Sequence, residues 1–190
     1  LRGGVVTEPL SPTSPPEPIA GDTKDWTWVL ERPCPECGFD PAKVSVERIP
    51  ALITDAAGRF ALALQQADAG VRTREGVWST VEYGQHVADV LEVMTDRLEA
   101  ILAEEGGEAR FDDWDQDAAA TEKEYWRANT HVTAILVKER AAAAAEAWSE
   151  PEGEQWDWPG VRSNGSRFTA RTLGTYLVHD LVHHLHDVGG

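Results

Sequence analysis

The sequence predicts an all-α protein folded as a four-helix bundle, and three observations support this expectation. Apolar residues recur at spacings of three and four in four long segments, which is the period of a helix with one buried face. Helix-capping residues precede two of these segments. The period-2 alternation typical of a half-buried strand is missing, so a sheet is not expected. Antiparallel helices around one core would give an up-and-down or a crossover bundle.

The domain organisation is predicted from composition. The 190 residues, 42% of them hydrophobic, are enough for one domain with its own core. We expect residues 1–32 to be a flexible tail, because proline, serine and threonine dominate it up to about Lys24 and its apolar residues show no period. Trp26, Trp28 and Leu30 are expected to dock this tail onto the body. Residues 33–190 then form the predicted four-helix domain.

The first two helices are predicted from their apolar stripes. The first stripe runs over 46–67, with Pro50 in the first turn, where a missing N–H costs little. The second helix begins at Ser79, because Ser79 and Glu82 have the spacing of a capping box. Its inward stripe includes one histidine, His86, among aliphatic residues.

The third and fourth helices fill the rest of the chain. The third is predicted over 118–148, where a run of alanines favours helix strongly. A loop rich in tryptophan, glycine and proline follows over 150–168. The fourth helix begins with Thr169 as its N-cap and carries four of the six histidines. Because the loop leads directly into this helix, we expect its residues Trp158 and Asn164 to border a site there.

Charge and cysteine usage exclude several classes of partner. The chain has 17 basic and 33 acidic side chains, a formal charge of -16, without a basic run. Phosphate backbones and anionic lipids would be repelled, so we expect neither nucleic acid nor membrane partners. A signal pattern and an apolar span of about 20 residues are also missing, and the chain has only two cysteines. These features predict a cytoplasmic protein, and a homodimer is compatible with them.

A metal site is predicted from histidine spacing. His179 and His183 lie four residues apart, which puts both imidazoles on one face of a helix, one turn apart. His86 on the inward stripe of the second helix is the natural third ligand. Three protein ligands would leave an open position for water or substrate. The alternative is that these are ordinary core or surface histidines.

The neighbouring polar residues are expected to play supporting roles or none. His186 lies three residues after His183 and is expected to be a spare or supporting residue for the site. Asp180 either orients a ligating imidazole or is simply solvated. His184 points about 100° away from His183 and is expected to pack or to lie at the surface, as is His131.

Cys34 and Cys37 form a C-x-x-C pair in a predicted turn. A structural zinc needs two more ligands, and the sequence offers no second pair of this kind. A redox role of the thioredoxin type would need a strand followed by a helix, which is not predicted here. We therefore expect a reduced pair or a local disulfide.

Two parts of the sequence together resemble the DinB-like family. They are Trp78 to Asp89, with the pattern W-S-x-x-E-x-x-x-H-x-x-D, and Thr172 onward through His179 and His183. The resemblance spans about 44–188 and implies a four-helix bundle with a divalent metal on three histidines, here His86, His179 and His183. Several relatives are thiol S-transferases that use bacillithiol, mycothiol or glutathione. Among them, the mycothiol-dependent maleylpyruvate isomerases have Glu where this chain has His179, and they have a further C-terminal domain.

The resemblance therefore implies a metal-dependent transferase that uses a low-molecular-weight thiol, mycothiol first, as a nucleophile on an electrophilic small molecule. Zinc is the first expectation for the metal, and nickel, iron or copper also bind imidazole. The alternatives are a hydrolase that uses metal-activated water and a non-catalytic metal-binding stress-response protein.

Overall fold

The computed structural model describes residues 15–21 and 24–190, which form a mostly helical protein with one small sheet. The five helices are α1 (Ile49–Ala63), α2 (Thr80–Ala103), α3 (Gln116–Glu122), α4 (Thr130–Ala147) and α5 (Ala170–Asp187). The three strands are β1 (Ala109–Phe111), β2 (Pro159–Arg162) and β3 (Arg167–Thr169). The prediction of a mostly helical protein is confirmed, and the predicted all-α class is corrected by the small three-stranded sheet.

The four long helices α1, α2, α4 and α5 enclose a common core. Both α1 and α2 pack against α4 and against α5. The largest side chains in this core are almost completely shielded from solvent, and they include Phe60, Leu91, Leu98, Tyr125, Trp148, Leu173 and Leu177. Burial of apolar surface on this scale is the main force that holds α5 in place, and α5 carries four of the six histidines.

The sheet covers one end of α2. The strand β2 pairs in parallel with β1, with Ala109 opposite Gly160, and antiparallel with β3. A side chain at Gly160 would collide with Phe111 and Ile101, because a Cβ there would lie 2.7 and 2.9 Å from their atoms. The strands contain three or four residues each, which is too short for period-2 alternation to be visible in the sequence.

The predicted third helix over 118–148 is interrupted, and this is a correction. Its first part is the short α3, and Glu124 then takes a left-handed backbone conformation with φ of 49°. A non-glycine residue in that conformation ends a right-handed helix. After a 3-10 turn at Tyr125–Arg127, Asn129 accepts a hydrogen bond from the Val132 N–H (3.0 Å) and begins α4 as its N-cap.

The helix starts predicted at Ser79 and Thr169 are confirmed. Ser79 and Glu82 form a capping box, with the Ser79 N–H donating to the Glu82 carboxylate at 2.9 Å. Thr169 caps α5 in the same way through Thr172. Helix α1 is shorter than predicted, since 46–48 form a 3-10 turn before it and it ends at residue 63, with Pro50 in its first turn.

Residues 24–39, the N-terminal segment, lie against α5. A 3-10 turn at Thr27–Leu30 contacts the helix, and Val29 in it is fully buried. The Cys34 N–H donates to the Phe39 carbonyl (2.8 Å), and Gly38 turns the chain with a left-handed φ of 74°. Half of the predicted flexible tail, residues 1–14 and 22–23, lies outside the described residues. Within the described ranges 15–21 and 24–190, no helix has the length and apolar character needed to cross a membrane.

Candidate metal centres

Helix α5 presents two pairs of metal-binding side chains, offset from each other by one residue. His179 and His183 form the first pair, and Asp180 and His184 form the second. Members of a pair lie one helical turn apart on one face, while the two pairs are separated by about 100° around the helix. Each pair therefore faces a different neighbour.

The first pair meets the two cysteines of the N-terminal segment. One ligand atom from each of the four side chains lies within 4.8 Å of the others, and we call this set the Cys/His group: Cys34, Cys37, His179 and His183. Cys34 Sγ lies 3.8 Å from His183 Nδ1, and His183 Nε2 lies 3.7 Å from the Glu36 carboxylate. The group can hold a metal ion.

The second pair meets α2. Ligand atoms of His86, Asp180 and His184 also lie within 4.8 Å of one another, and we call this set the His/Asp group. Asp180 Oδ1 lies 3.7 Å from His86 Nε2 and 3.6 Å from His184 Nε2. These distances are too long for hydrogen bonds. Over the described ranges, Asp180 Oδ1 and both ring nitrogens of His86 are solvent-shielded atoms without a hydrogen-bond partner.

The surroundings fix the orientation of these side chains. His184 Nδ1 forms a 2.8 Å hydrogen bond with the Asp187 carboxylate. That contact favours the tautomer with the proton on Nδ1, which leaves the lone pair of Nε2 directed toward Asp180. The His86 ring stacks on Trp114, with ring centroids 5.5 Å apart, and lies beside Trp78. His86 is consequently fully buried between the side chains of Trp114 and Trp78.

Four of the candidate ligands, His86, His179, His183 and Asp180, have protonation states that suit metal binding. Burial lowers the pKa of His86 and of His183, and it lowers the pKa of His179 to about 4. Burial alone would raise the pKa of Asp180, but the adjacent His184 and His86 rings outweigh it and bring that pKa to about 2. At neutral pH these three imidazoles are therefore neutral and the Asp180 carboxylate is ionised, which are the forms that bind metals.

The cysteines are free thiols. Burial, together with the neighbouring Cys34, raises the pKa of the Cys37 thiol to about 11. A thiol with such a pKa is almost entirely protonated at neutral pH, so it is a poor nucleophile unless a cation binds it.

A cavity of about 880 Å³ opens beside the two groups. Its wall includes His179, Asp180, His183 and His184 from α5, and the aromatic side chains Trp26, Trp78, Tyr83, Trp114 and Tyr176. Arg162 at the end of β2 and Asn164 in the turn that follows are among its polar lining residues. This volume lies within the range of small-molecule sites in proteins.

No protein-family model, no curated protein and no solved structure matches this chain. The resemblance to the DinB-like family therefore stays a prediction. The two groups and the cavity are the features of the described residues that bear on function.

The structure places the three predicted metal ligands in two different groups. His179 and His183 lie together as expected, but they share the Cys/His group, whereas His86 belongs to the His/Asp group. A single metal centre formed by all three histidines therefore stays a prediction. Asn164 lines the cavity, and its side chain donates to Asp113 (3.2 Å). Asp180 is itself a member of the His/Asp group.

Other predicted residues lie away from the ligand atoms. His186 is exposed on the last turn of α5, and His131 is exposed on α4. Trp158 is partly buried and packs beside Gly106, where a Cβ would lie 3.4 Å from the indole nitrogen. The loop over 150–168 thus borders the cavity through Arg162 and Asn164.

Sequence reasoning missed three ligand candidates. Cys34 and Cys37 were a recognisable half of a zinc site, but the other half lies about 145 residues later in the chain and is supplied by histidines rather than by a second cysteine pair. His184 was assigned to packing or to the surface because it points away from His183. The sequence feature that indicates a second pair of ligands is the spacing of Asp180 and His184, which lie four residues apart like His179 and His183.

Proposed function

We propose that this protein is a metal-dependent enzyme whose metal is held by His86, Asp180 and His184, on a four-helix bundle of DinB-like type. One observation supports this above all others. Ligand atoms of three residues from two helices converge beside the cavity, and those of His86 and Asp180 are shielded from solvent without a hydrogen-bond partner across residues 15–21 and 24–190. Buried polar groups in that condition are costly unless something binds them.

The distances in the His/Asp group fit a metal ion. Nitrogen and carboxylate ligands lie about 2.0–2.2 Å from zinc, so two tetrahedral ligands are separated by about 3.4 Å. The separations of 3.6 and 3.7 Å in this group are close to that value. Two histidines and one carboxylate are a ligand set found at catalytic zinc and at non-haem iron, where further positions stay open.

A metal bound there would lower the pKa of a coordinated thiol or water and so supply a nucleophile at neutral pH. The protein's own residues would do the rest. Asp187 holds the His184 ring in the ligating tautomer, and Trp78 and Trp114 exclude water from His86. Burial raises the pKa of Tyr176 to about 12, so this cavity residue remains a hydrogen-bond donor at neutral pH.

The reaction we propose first is transfer of a low-molecular-weight thiol, of the mycothiol type, to an electrophilic small molecule. The supporting observation is the size of the cavity, since about 880 Å³ gives room for a thiol and a second substrate together. Hydrolysis by metal-activated water is the second candidate. It is favoured by the carboxylate in the ligand set, which is shared with zinc hydrolases.

The test combines metal analysis with turnover. Protein loaded with Zn²⁺ or Fe²⁺ is incubated with a panel of electrophiles and esters, with and without mycothiol, bacillithiol or glutathione. Turnover that needs both metal and thiol supports the transferase, and turnover without thiol supports the hydrolase. Metal binding without turnover on the whole panel would instead favour a non-catalytic metal-binding protein.

The matched variants are His86→Ala and His131→Ala. The first removes a member of the His/Asp group, and the second removes an exposed histidine on α4. If His86→Ala keeps full metal-dependent turnover, the proposal is wrong. A loss of turnover in His179→Ala and His183→Ala but not in His184→Ala would instead support the metal centre of three histidines that the sequence predicts.

A further inference from the structure

We infer that Cys34, Cys37, His179 and His183 bind a second metal ion, Zn²⁺, in a closed site that fastens the N-terminal segment to α5. The four donors are two sulfurs and two imidazole nitrogens within 4.8 Å of one another. This is the donor set of structural zinc sites, in which four protein ligands complete a tetrahedron.

The spacing of the donors fits one tetrahedral zinc ion, which would replace the weak thiol–imidazole hydrogen bond between Cys34 and His183. With Zn–S near 2.3 Å and Zn–N near 2.0–2.1 Å, a sulfur and a nitrogen on one tetrahedral zinc are separated by about 3.6 Å. Cys34 Sγ and His183 Nδ1 are 3.8 Å apart. His179 Nε2 is shielded from solvent and, in the part of the chain that the structure describes, has no hydrogen-bond partner. A metal ion would satisfy that nitrogen.

The local backbone brings the two cysteines to the same place. Residues 34–39 form a tight loop, closed by the hydrogen bond from the Cys34 N–H to the Phe39 carbonyl (2.8 Å) and by that from the Gly38 N–H to the Cys34 carbonyl (2.9 Å). The left-handed φ of Gly38 makes this reversal inexpensive. The loop thus presents both thiols to α5 before any metal is bound.

The site is closed on its outer side by aromatic rings. The Trp26 ring lies 4.9 Å from the His183 ring and 5.6 Å from the His179 ring, and Phe39 meets His179 edge-on at 5.2 Å. Cys34 is 1% exposed and His179 is 4% exposed. Four protein donors under such a cover leave no coordination position for a substrate, so the expected role of this zinc is structural.

Glu36 gives the site a supporting carboxylate. Its carboxylate lies 3.7 Å from His183 Nε2, while His183 Nδ1 faces Cys34. A ligating histidine usually gives its other ring nitrogen to a carboxylate or carbonyl, which fixes the ring and strengthens it as a donor. The C-x-x-C pair and Glu36 between its cysteines therefore act as one unit.

The experiment uses the full chain, loaded with Zn²⁺ or with Co²⁺ as a spectroscopic probe. We expect wild type to bind two metal ions, with the thiolate-to-cobalt charge-transfer absorption that only cysteine ligation produces. Cys34→Ser and Cys37→Ser should each lose one of the two ions together with that absorption. His184→Ala should lose the other ion and keep the absorption, which separates this inference from the proposed enzyme centre. His131→Ala is the matched control and should keep both ions.

Two measurements on wild type keep the inference testable even if the cysteine variants fail to fold. Alkylation of the thiols, measured at a pH near 11 where Cys37 ionises, should be faster after a chelator removes zinc than with zinc bound, because a metal-bound thiolate is protected. Cobalt-loaded protein without thiolate absorption would overturn the inference. So would protein purified without reductant that is two hydrogens lighter, because that mass shows a Cys34–Cys37 disulfide in place of a metal site.

Discussion

The Cys/His group and the His/Asp group lie side by side on α5, yet they differ in the number of donors and in the element that each joins to the helix. The Cys/His group has four donors and joins α5 to the N-terminal segment. The His/Asp group has three donors and joins α5 to α2. Because both groups contribute histidines to the cavity wall, the coordination number is what separates a closed structural site from an open catalytic one. A one-residue offset on one helix is enough to create both.

The largest expected effect is on stability, from loss of the Cys/His group. At a free zinc concentration about a thousandfold above Kd, a bound ion stabilises the folded state by about 4 kcal/mol. The double variant Cys34→Ser, Cys37→Ser should lose that stabilisation, and proteases should then cut the N-terminal segment. Urea denaturation with and without zinc measures the loss. Equal stability of variant and wild type in zinc would mean that this group has no structural role.

The next effect concerns the stability of the first turn of α2, the helix that carries His86 of the His/Asp group. Glu82 in the first turn is ion-paired with Arg72, whose Nε donates to it at 2.9 Å, and both side chains are largely buried. Removing one partner of such a pair leaves a buried charge uncompensated and costs about 3 kcal/mol. We expect Arg72→Ala to destabilise the protein by that amount at neutral pH. Arg127→Ala, which breaks an exposed pair with Glu124, should have almost no effect.

The same pair gives a pH dependence with a definite sign. Burial alone would raise the pKa of Glu82, but hydrogen bonds from Arg72 and Ser79 lower it below its ordinary value of 4.5. A carboxyl group with a lowered folded pKa contributes stability above its unfolded pKa and loses it as the pH falls through the folded value. The stability difference between wild type and Arg72→Ala should therefore shrink below pH 4.5. A difference that stays constant in acid would contradict this account.

The third effect is on catalysis and should spare stability. His184→Ala removes a ligand from the open site, so metal-dependent turnover should fall more than about a hundredfold, since even loss of a supporting residue costs roughly tenfold to a hundredfold. Urea midpoints measured with metal in the Cys/His group alone should remain close to wild type, because neither protein then has the stabilisation that a cavity ion would add. A large loss of stability in His184→Ala under that condition would mean that the His/Asp group also has a structural role.

A smaller effect is expected from Asp187→Asn. Asp187 does not contact the proposed ion but accepts the His184 Nδ1–H at 2.8 Å. An amide holds the ligating tautomer less well, so affinity for the cavity metal should fall roughly tenfold to a hundredfold. Calorimetric titration of zinc into protein with the Cys/His group already filled isolates this step. Unchanged affinity would show that the tautomer is held by other contacts.

The smallest effect is expected from Glu36→Gln on the Cys/His group. The contact to His183 is longer, 3.7 Å, and the Glu36 side chain is 52% exposed. Water therefore screens much of its influence, and we expect zinc affinity to fall by about tenfold at most. Competition with a chromogenic zinc chelator measures the change. Weakening of the cavity metal by this variant would mean that the two sites are not independent.

The sequence was informative where local rules decide the structure. The caps at Ser79 and Thr169 and the four-residue spacing of His179 and His183 follow from helix geometry alone, and the structure has both. The break at Glu124 was hidden, because its left-handed conformation depends on how Tyr125 and α4 pack behind it and not on its side-chain type. The three short strands were hidden by their length.

The composition of the two groups could not be read from spacing. Helix α5 carries two pairs of potential ligands, and which pair faces α2 depends on the rotation of the helix in the core. That rotation is set by the packing of residues such as Leu173, Leu177 and Leu181, all of which are almost completely buried. A rotation of about 100° would turn His179 and His183 toward α2 in place of Asp180 and His184. The long-range partners Cys34 and Cys37 could not be assigned to α5 for the same reason.

Trp26 belongs to both regions, and this sharing has a thermodynamic consequence. Its ring covers His179 and His183, and the same side chain forms part of the cavity wall. Two ligands that each favour one position of a shared side chain strengthen each other's binding, and by an equal factor in both directions. Zinc in the Cys/His group would hold Trp26 in place. A cavity ligand that packs against this ring would then bind more tightly when zinc is present, and it would raise the affinity for zinc by the same factor. The supply of zinc would then tune how tightly the cavity retains its ligand.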